Sequence, residues 1–181
     1  MWREIDFPLV DEDAGALHPF MEALRGLYAN GAVVHKTFAM PARVDFDEFL
    51  RLGRLHDIFF FERFWLASSV RAALPFDLHE VEFLSPTVFS WTQRVELPGS
   101  LASALVRGGA YRNWDSTARE AMRLGLEAAE VLLAGDFEEP RVFVSQTAWS
   151  RFFHDVAWDY TWLVIEPRRR RIDVLLATDT D

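Results

Sequence analysis

The chain is 181 residues long, 50% hydrophobic and 26% charged, with 28 acidic against 19 basic residues and a formal net charge of -9. Its 16 Phe and 7 Trp exclude intrinsic disorder, and the absence of cysteine excludes disulfides, thiolate metal sites, iron–sulfur clusters and a Cys nucleophile. The acidic balance argues against non-specific nucleic-acid binding, which depends on neutralising phosphates.

Met1-Trp2-Arg3-Glu4-Ile5-Asp6 carries charges where a signal peptide needs an apolar stretch. The most apolar region, 58–73, is interrupted by Glu62, Arg63 and Arg71, which leaves it too short and too charged for a bilayer. A cytoplasmic protein with no membrane partner is expected. Lys36 is the only lysine, a bias that points to GC-rich codon usage in a bacterium.

The sequence predicts a first helix with His18 as N-cap and Pro19 at its first position. Phe20, Ala23, Leu24, Leu27 and Tyr28 follow at helical spacing, and Asn30-Gly31 supplies the stop. Residues 32–40 suit a strand. Asp45-x-x-Glu48 reads as a capping box, and after a break near Gly53 or His56-Asp57 a second helix runs to about Leu74. Ile58-Phe59-Phe60-Phe61 also fits a buried strand, so 57–66 stays open between helix and strand. Two strands follow, 78–84 and 87–96, with Phe89, Trp91 and Val95 on one face of the second. A short helix, 101–107, stops at Gly108-Gly109.

The clearest helix is 117–134, with Thr117-x-x-Glu120 as capping box and Gly135 as C-cap. Its inner face reads Ala118, Ala121, Met122, Gly125, Ala128, Ala129, Leu132 and Leu133. So many small residues imply close packing on a neighbouring helix. The last third reads as strand 141–145, short helix 147–154, strand 158–166, and strand 171–179. The final pair forms a hairpin in which Glu166 faces Arg171, Val164 faces Asp173, Trp162 faces Leu175 and Trp158 faces Asp179. Both faces of that hairpin are apolar, as central strands require. The expected fold is a single α+β domain over 1–181: a mainly antiparallel sheet of about five or six strands, helices packed on it and the C-terminal hairpin central.

His154-Asp155 with Asp159 and Tyr160 is the densest set of ionisable side chains near a turn. A catalytic reading makes His154 a general base oriented by Asp155 or Asp159. The plainer and preferred reading has His154 closing a short helix and Asp155 solvated. Acids also gather at Glu80 and Glu82, at Asp136, Glu138 and Glu139, and at Asp173, Asp179 and Asp181. No metal-ligand spacing accompanies them, and neither a metal nor a cofactor is expected. Arg107-Gly108-Gly109-Ala110-Tyr111-Arg112-Asn113-Trp114 is the most loop-like aromatic segment, with Arg107 and Arg112 as candidate anion clamps. It matches no phosphate-loop or dinucleotide fingerprint, and a helix stop followed by a turn carrying Trp114 inward is the plainer reading. Residues 168–171 form a basic run at the hairpin tip, read as a solvated turn. No nucleophile elbow is present. Aromatics beside loops, Trp2, Trp114 and Trp149 among them, describe a protein-binding surface where an acidic rim surrounds them.

In size, acidity and lack of a catalytic motif the chain resembles the immunity proteins that neutralise bacterial toxins. The resemblance is of general character and extends over the whole chain; its most distinctive strings are Trp158-Asp159-Tyr160-Thr161 and Ala177-Thr178-Asp179-Thr180-Asp181. It implies an α+β domain without catalysis whose acidic surface covers a basic toxin domain. The resemblance assigns no residues; from the chain itself binding is expected at Arg107, Arg112, Trp114 and Tyr160. The alternative is a small enzyme or ligand-binding domain whose pocket uses His154, Asp155, Asp159, Tyr160 and Arg112.

Overall fold

The computed structural model describes residues 5–10, 15–76 and 88–181. In chain order its elements are β1 (Leu9–Val10), α1 (His18–Leu27), β2 (Ala32–Ala39), α2 (Val44–Arg51), a 3-10 turn (Leu55–Ile58), α3 (Phe60–Leu66) and α4 (Ser68–Ala73). There follow β3 (Ser90–Thr92), a second 3-10 turn (Arg94–Glu96), α5 (Leu97–Arg107), α6 (Ala118–Leu132), β4 (Arg141–Ser145), β5 (Tyr160–Glu166) and β6 (Arg171–Thr178). The strands form one antiparallel sheet in the order β1-β2-β6-β5-β4-β3, an α+β architecture.

The β5–β6 hairpin lies at its centre, in the expected register of Glu166 with Arg171, Val164 with Asp173 and Trp162 with Leu175. Every residue of both strands is buried, because helices cover both faces. On one face Trp162, Val164, Leu175 and Ala177 pack under α1, α5 and α6. On the other, Leu163, Ile165, Ile172, Val174 and Leu176 meet an aromatic core of Phe60, Phe61, Phe64, Trp65, Phe143 and Trp149. Rings there touch in chains, with Trp65 and Trp149 4.3 Å apart and Phe61 and Phe89 5.0 Å apart. The ladder ends at Tyr160 with Ala177; Trp158 precedes the strand, because Asp159 is tied into its own turn by the N–H of Val156.

Helix α6 follows its capping signal in part. Thr117 Oγ1 accepts from the Glu120 N–H, but the Glu120 carboxylate pairs with Arg123 instead of closing the box. At the other end the C-cap is Leu133 rather than Gly135; Ala134 and Gly135 follow in the left-handed region, and the Gly135 N–H donates to Glu130 O. The buried face is Ala121, Leu124, Gly125, Ala128, Ala129 and Leu132; Ala118 and Met122 point outward, one step off the inner stripe. The close packing is real: a Cβ on Gly125 would stand 2.4 Å from Pro98 O and 3.0 Å from Ala102 N.

Several local expectations are corrected. Leu17, not His18, is the N-cap of α1, a shift of one residue. Asp45 lies inside the first turn of α2, paired with Arg43, so it forms no capping box with Glu48. Within 57–66 no strand forms: the 3-10 turn ends at Ile58, Phe59 takes a left-handed φ of 53° and α3 starts at Phe60. The run to Leu74 is broken again at Ala67, whose ψ of 138° is extended. Tertiary hydrogen bonds impose that break: Ser69 Oγ donates to Phe7 O, accepts from Phe7 N, and the Ser69 N–H reaches Asp6. The strand expected over 87–96 stops at Thr92, where Gln93 and Glu96 cap a 3-10 turn leading into α5, which starts at Leu97 rather than 101. Trp91 and Val95 are exposed while Phe89 is buried. No helix forms over 147–154; the Phe152 N–H, which a helix would send to the carbonyl of Ala148, goes to the Ser150 hydroxyl. The strand expected over 78–84, with Glu80 and Glu82, lies outside the described residues, as does Trp2.

Candidate functional site

The loop after α5 is tied down at Gly108, Gly109, Ala110, Arg112 and Trp114. Gly108 leaves the helix in the left-handed region, and the Gly109 N–H donates to Arg112 O. A Cβ on Gly109 would lie 2.4 Å from Leu27 O and 2.6 Å from Asp179 Oδ2, so only glycine lets the loop approach so closely. The buried Asp179 carboxylate accepts from the Ala110 N–H at 2.8 Å and from the Asn30 N–H at 3.0 Å. Arg112 reaches across to Gly26 O at 2.7 Å, and the Trp114 indole donates to Thr117 O. The carboxylate at the end of β6 thus joins this loop to the end of α1.

The loop exposes Tyr111, at 64%, and its next residues border an open cavity of about 510 Å³. Arg112, Trp114 and Asp115 line it from the loop, and Glu22, Ala23, Gly26 and Leu27 from α1. Of the residues expected to bind, Arg112 and Trp114 therefore share one cavity with two acids at its rim. Arg107 and Tyr160 form a different pair: the guanidinium lies 5.8 Å from the Tyr160 ring and donates to Ala157 O. Tyr160 also stacks on Trp162 at 5.0 Å, and its hydroxyl, like that of Tyr28, is buried without a hydrogen-bond partner among the described residues. Burial, then the neighbouring Tyr160 and Asp179, pushes the Tyr28 phenol far above its ordinary value; burial also raises Tyr160, against the pull of Arg107. Both phenols are neutral.

The 154–160 cluster does not assemble as an acid–base site. Asp159 is buried and spends its carboxylate on the His154 and Val156 N–H groups and the Thr178 hydroxyl. His154 and Asp155 are exposed, and among the described residues the His154 imidazole has no hydrogen bond to either aspartate. Arg112 is engaged by α1. The five side chains of the enzyme reading are dispersed between core and solvent. Among the described residues the close His–Asp pair is His35 with Asp173, which no local pattern reveals because the two are 138 positions apart. Among the described residues no group of three or more His, Asp or Glu is placed to hold a metal ion, and no helix is long and apolar enough to cross a membrane.

A rigid loop bearing Tyr111, Arg112 and Trp114 beside Glu22 and Asp115 can bind a complementary surface without chemistry. Compared with family models, curated proteins and solved structures, the chain matches none.

Proposed function

We propose that this chain is a non-catalytic protein-binding domain that acts as immunity proteins do, in a bacterial cytoplasm, by covering a basic surface of a toxin. The observation that carries the reading is the preorganised loop at 107–115. Its backbone is held at Ala110 by Asp179, and the Arg112 and Trp114 side chains are fixed on the Gly26 and Thr117 carbonyls, so binding through this loop costs little ordering. Tyr, Trp and Arg are the side chains that concentrate binding energy at interfaces. Glu22 and Asp115 at the rim, within a chain of net charge -9, favour and steer a basic partner. The dispersal of His154, Asp155 and Asp159 supports binding over catalysis.

The test is to capture binding proteins from the source cells, then reconstitute each complex from purified components. A genuine partner forms a stoichiometric complex whose association slows steeply with added salt. Tyr111→Ala and Trp114→Ala each weaken it by about tenfold or more. If no captured protein reconstitutes, or both variants bind as the parent does, the reading fails.

A further inference from the structure

A second cavity lies far from that loop in the fold, and its chemistry is opposite in sign. The β3–β4 register sets Trp91 directly across from Phe143, so both side chains leave the sheet on the same face, and Arg141 follows two residues earlier on β4. Helix α2 ends beside them, and the 3-10 turn Leu55–Ile58 closes the space. The result is a cavity of about 370 Å³ with an apolar floor of Leu50, Leu55 and Phe143, all buried. Its walls are Leu52, His56, the half-exposed Trp91 and the two arginines Arg51 and Arg141.

The polar groups are all cationic or imidazole. Among the described residues no carboxylate lines this cavity, in a chain that has 28 acids. Among the described residues Arg51 and Arg141 form no ion pair; a hydrogen bond runs from the Arg141 guanidinium to Arg51 O at 3.4 Å. Of the nearby acids, Asp57 is engaged by Arg54, Glu139 by Arg168 and Asp47 by Arg170, while Glu138 lines the adjoining groove. Burial and the neighbouring Arg94 disfavour the charged form of Arg141, and an incoming anion would relieve that cost. The His56 ring is held 4.8 Å from Phe61, which fixes its place in the wall. A wider groove of about 520 Å³ adjoins through Leu50, Arg51 and Arg141, so a ligand has an open approach.

We propose that this cavity binds a small organic oxyanion, a carboxylate or phosphate group on an apolar body about the size of an aromatic ring. The guanidinium forks of Arg51 and Arg141 take the oxyanion, since planar donors in that geometry match two oxygens at once. The body lies on Leu50, Leu55 and Phe143 with the Trp91 indole against its face. A cavity of this volume, mostly apolar with a few convergent polar groups, is the ordinary form of a small-molecule site.

The experiment titrates the purified chain with phenylacetate, phenyl phosphate, inorganic phosphate and benzyl alcohol. It reads the Trp91 indole N–H by two-dimensional NMR, identified by its loss in Trp91→Phe, and affinity by calorimetry. The expected result is that at least one aryl oxyanion binds and shifts the Trp91 signal, with the preferred oxyanion telling carboxylate from phosphate. Arg141→Gln and Arg51→Gln each weaken that binding by about tenfold, the loss of one charge-assisted contact. Arg51 is exposed at the end of α2, so its substitution tests the site even where Arg141→Gln unsettles β4. The proposal is overturned if benzyl alcohol binds as well as phenylacetate, or if inorganic phosphate binds as well as phenyl phosphate. No shift with any probe, or unchanged affinity in both arginine variants, overturns it equally.

Discussion

His35 and Asp173 meet across the β2–β6 pair, with Nε2 3.1 Å from Oδ1 and Asp173 almost wholly buried. Thr37, directly opposite Asp173 in the register, donates its hydroxyl to the same oxygen at 2.8 Å. Arg171 Nε stands 2.8 Å from the other oxygen, and the Arg171 guanidinium also donates to Val131 O near the end of α6. One buried carboxylate thus joins two central strands to a helix C-terminus, where a cation is favoured.

Removing it should be costly. Asp173→Ala takes the carboxylate from a buried arginine and is expected to destabilise the chain by about 3–5 kcal/mol. Asp173→Asn keeps the shape and part of the hydrogen bonding and should cost less. Urea unfolding of the three proteins orders them parent, Asn, Ala.

The paired phenols should behave in the opposite way. The Tyr28 and Tyr160 hydroxyls are buried without partners among the described residues, so each already bears a desolvation penalty. Tyr28→Phe and Tyr160→Phe remove a polar atom and keep the ring. Each should leave stability unchanged or raise it by about 1 kcal/mol, read as a higher urea midpoint.

Gly125 separates packing from propensity. Alanine is the better helix former by about 1 kcal/mol, yet its Cβ would meet the Pro98 backbone at 2.4 Å. Gly125→Ala is expected to destabilise by about 1–3 kcal/mol, because two helix backbones must separate. The thermal midpoint measures this. A rise would mean that α5 yields freely.

Asp136 governs part of the acid limb. The N–H groups of Glu138 and Glu139 and the nearby Arg168 hold its carboxyl below the ordinary 3.8. A carboxyl lowered on folding contributes stability above its unfolded pKa and loses it as pH falls through the lower, folded value. The parent should therefore lose more stability than Asp136→Asn on going from about pH 5 to about pH 2. Urea midpoints measured across that range test it.

Much of the fold was legible where the determining contacts lie close along the chain. The β5–β6 register follows from two facing patterns only a turn apart, in which slipping by one residue sets Asp159 opposite Asp179. The stripe of Ala121, Gly125, Ala128 and Ala129 announced a close helix contact, and the loop at 107–114 was marked by its glycines. The loss of the expected helix at 147–154 and the break at Ala67 were illegible. In both, partners outside the usual helical pattern intervened: the Ser150 hydroxyl took the Phe152 N–H in the first, and in the second Asp6 took the Ser69 N–H while Phe7 bonded the Ser69 hydroxyl.

By itself the sequence determined what a local period or a composition can encode: an α+β chain with a central apolar hairpin, a strongly capped α6, and no thiol chemistry. Only the tertiary structure decided which charges meet. Asp159 and Asp179, alike in sequence as acids near chain turns, are buried supports for two loops. Arg51 and Arg141, 90 residues apart, share a cavity with Trp91. The physical reason is that hydrophobic periodicity is a short-range signal, whereas a polar site is assembled from residues brought together when the sheet forms. No local pattern carries that separation.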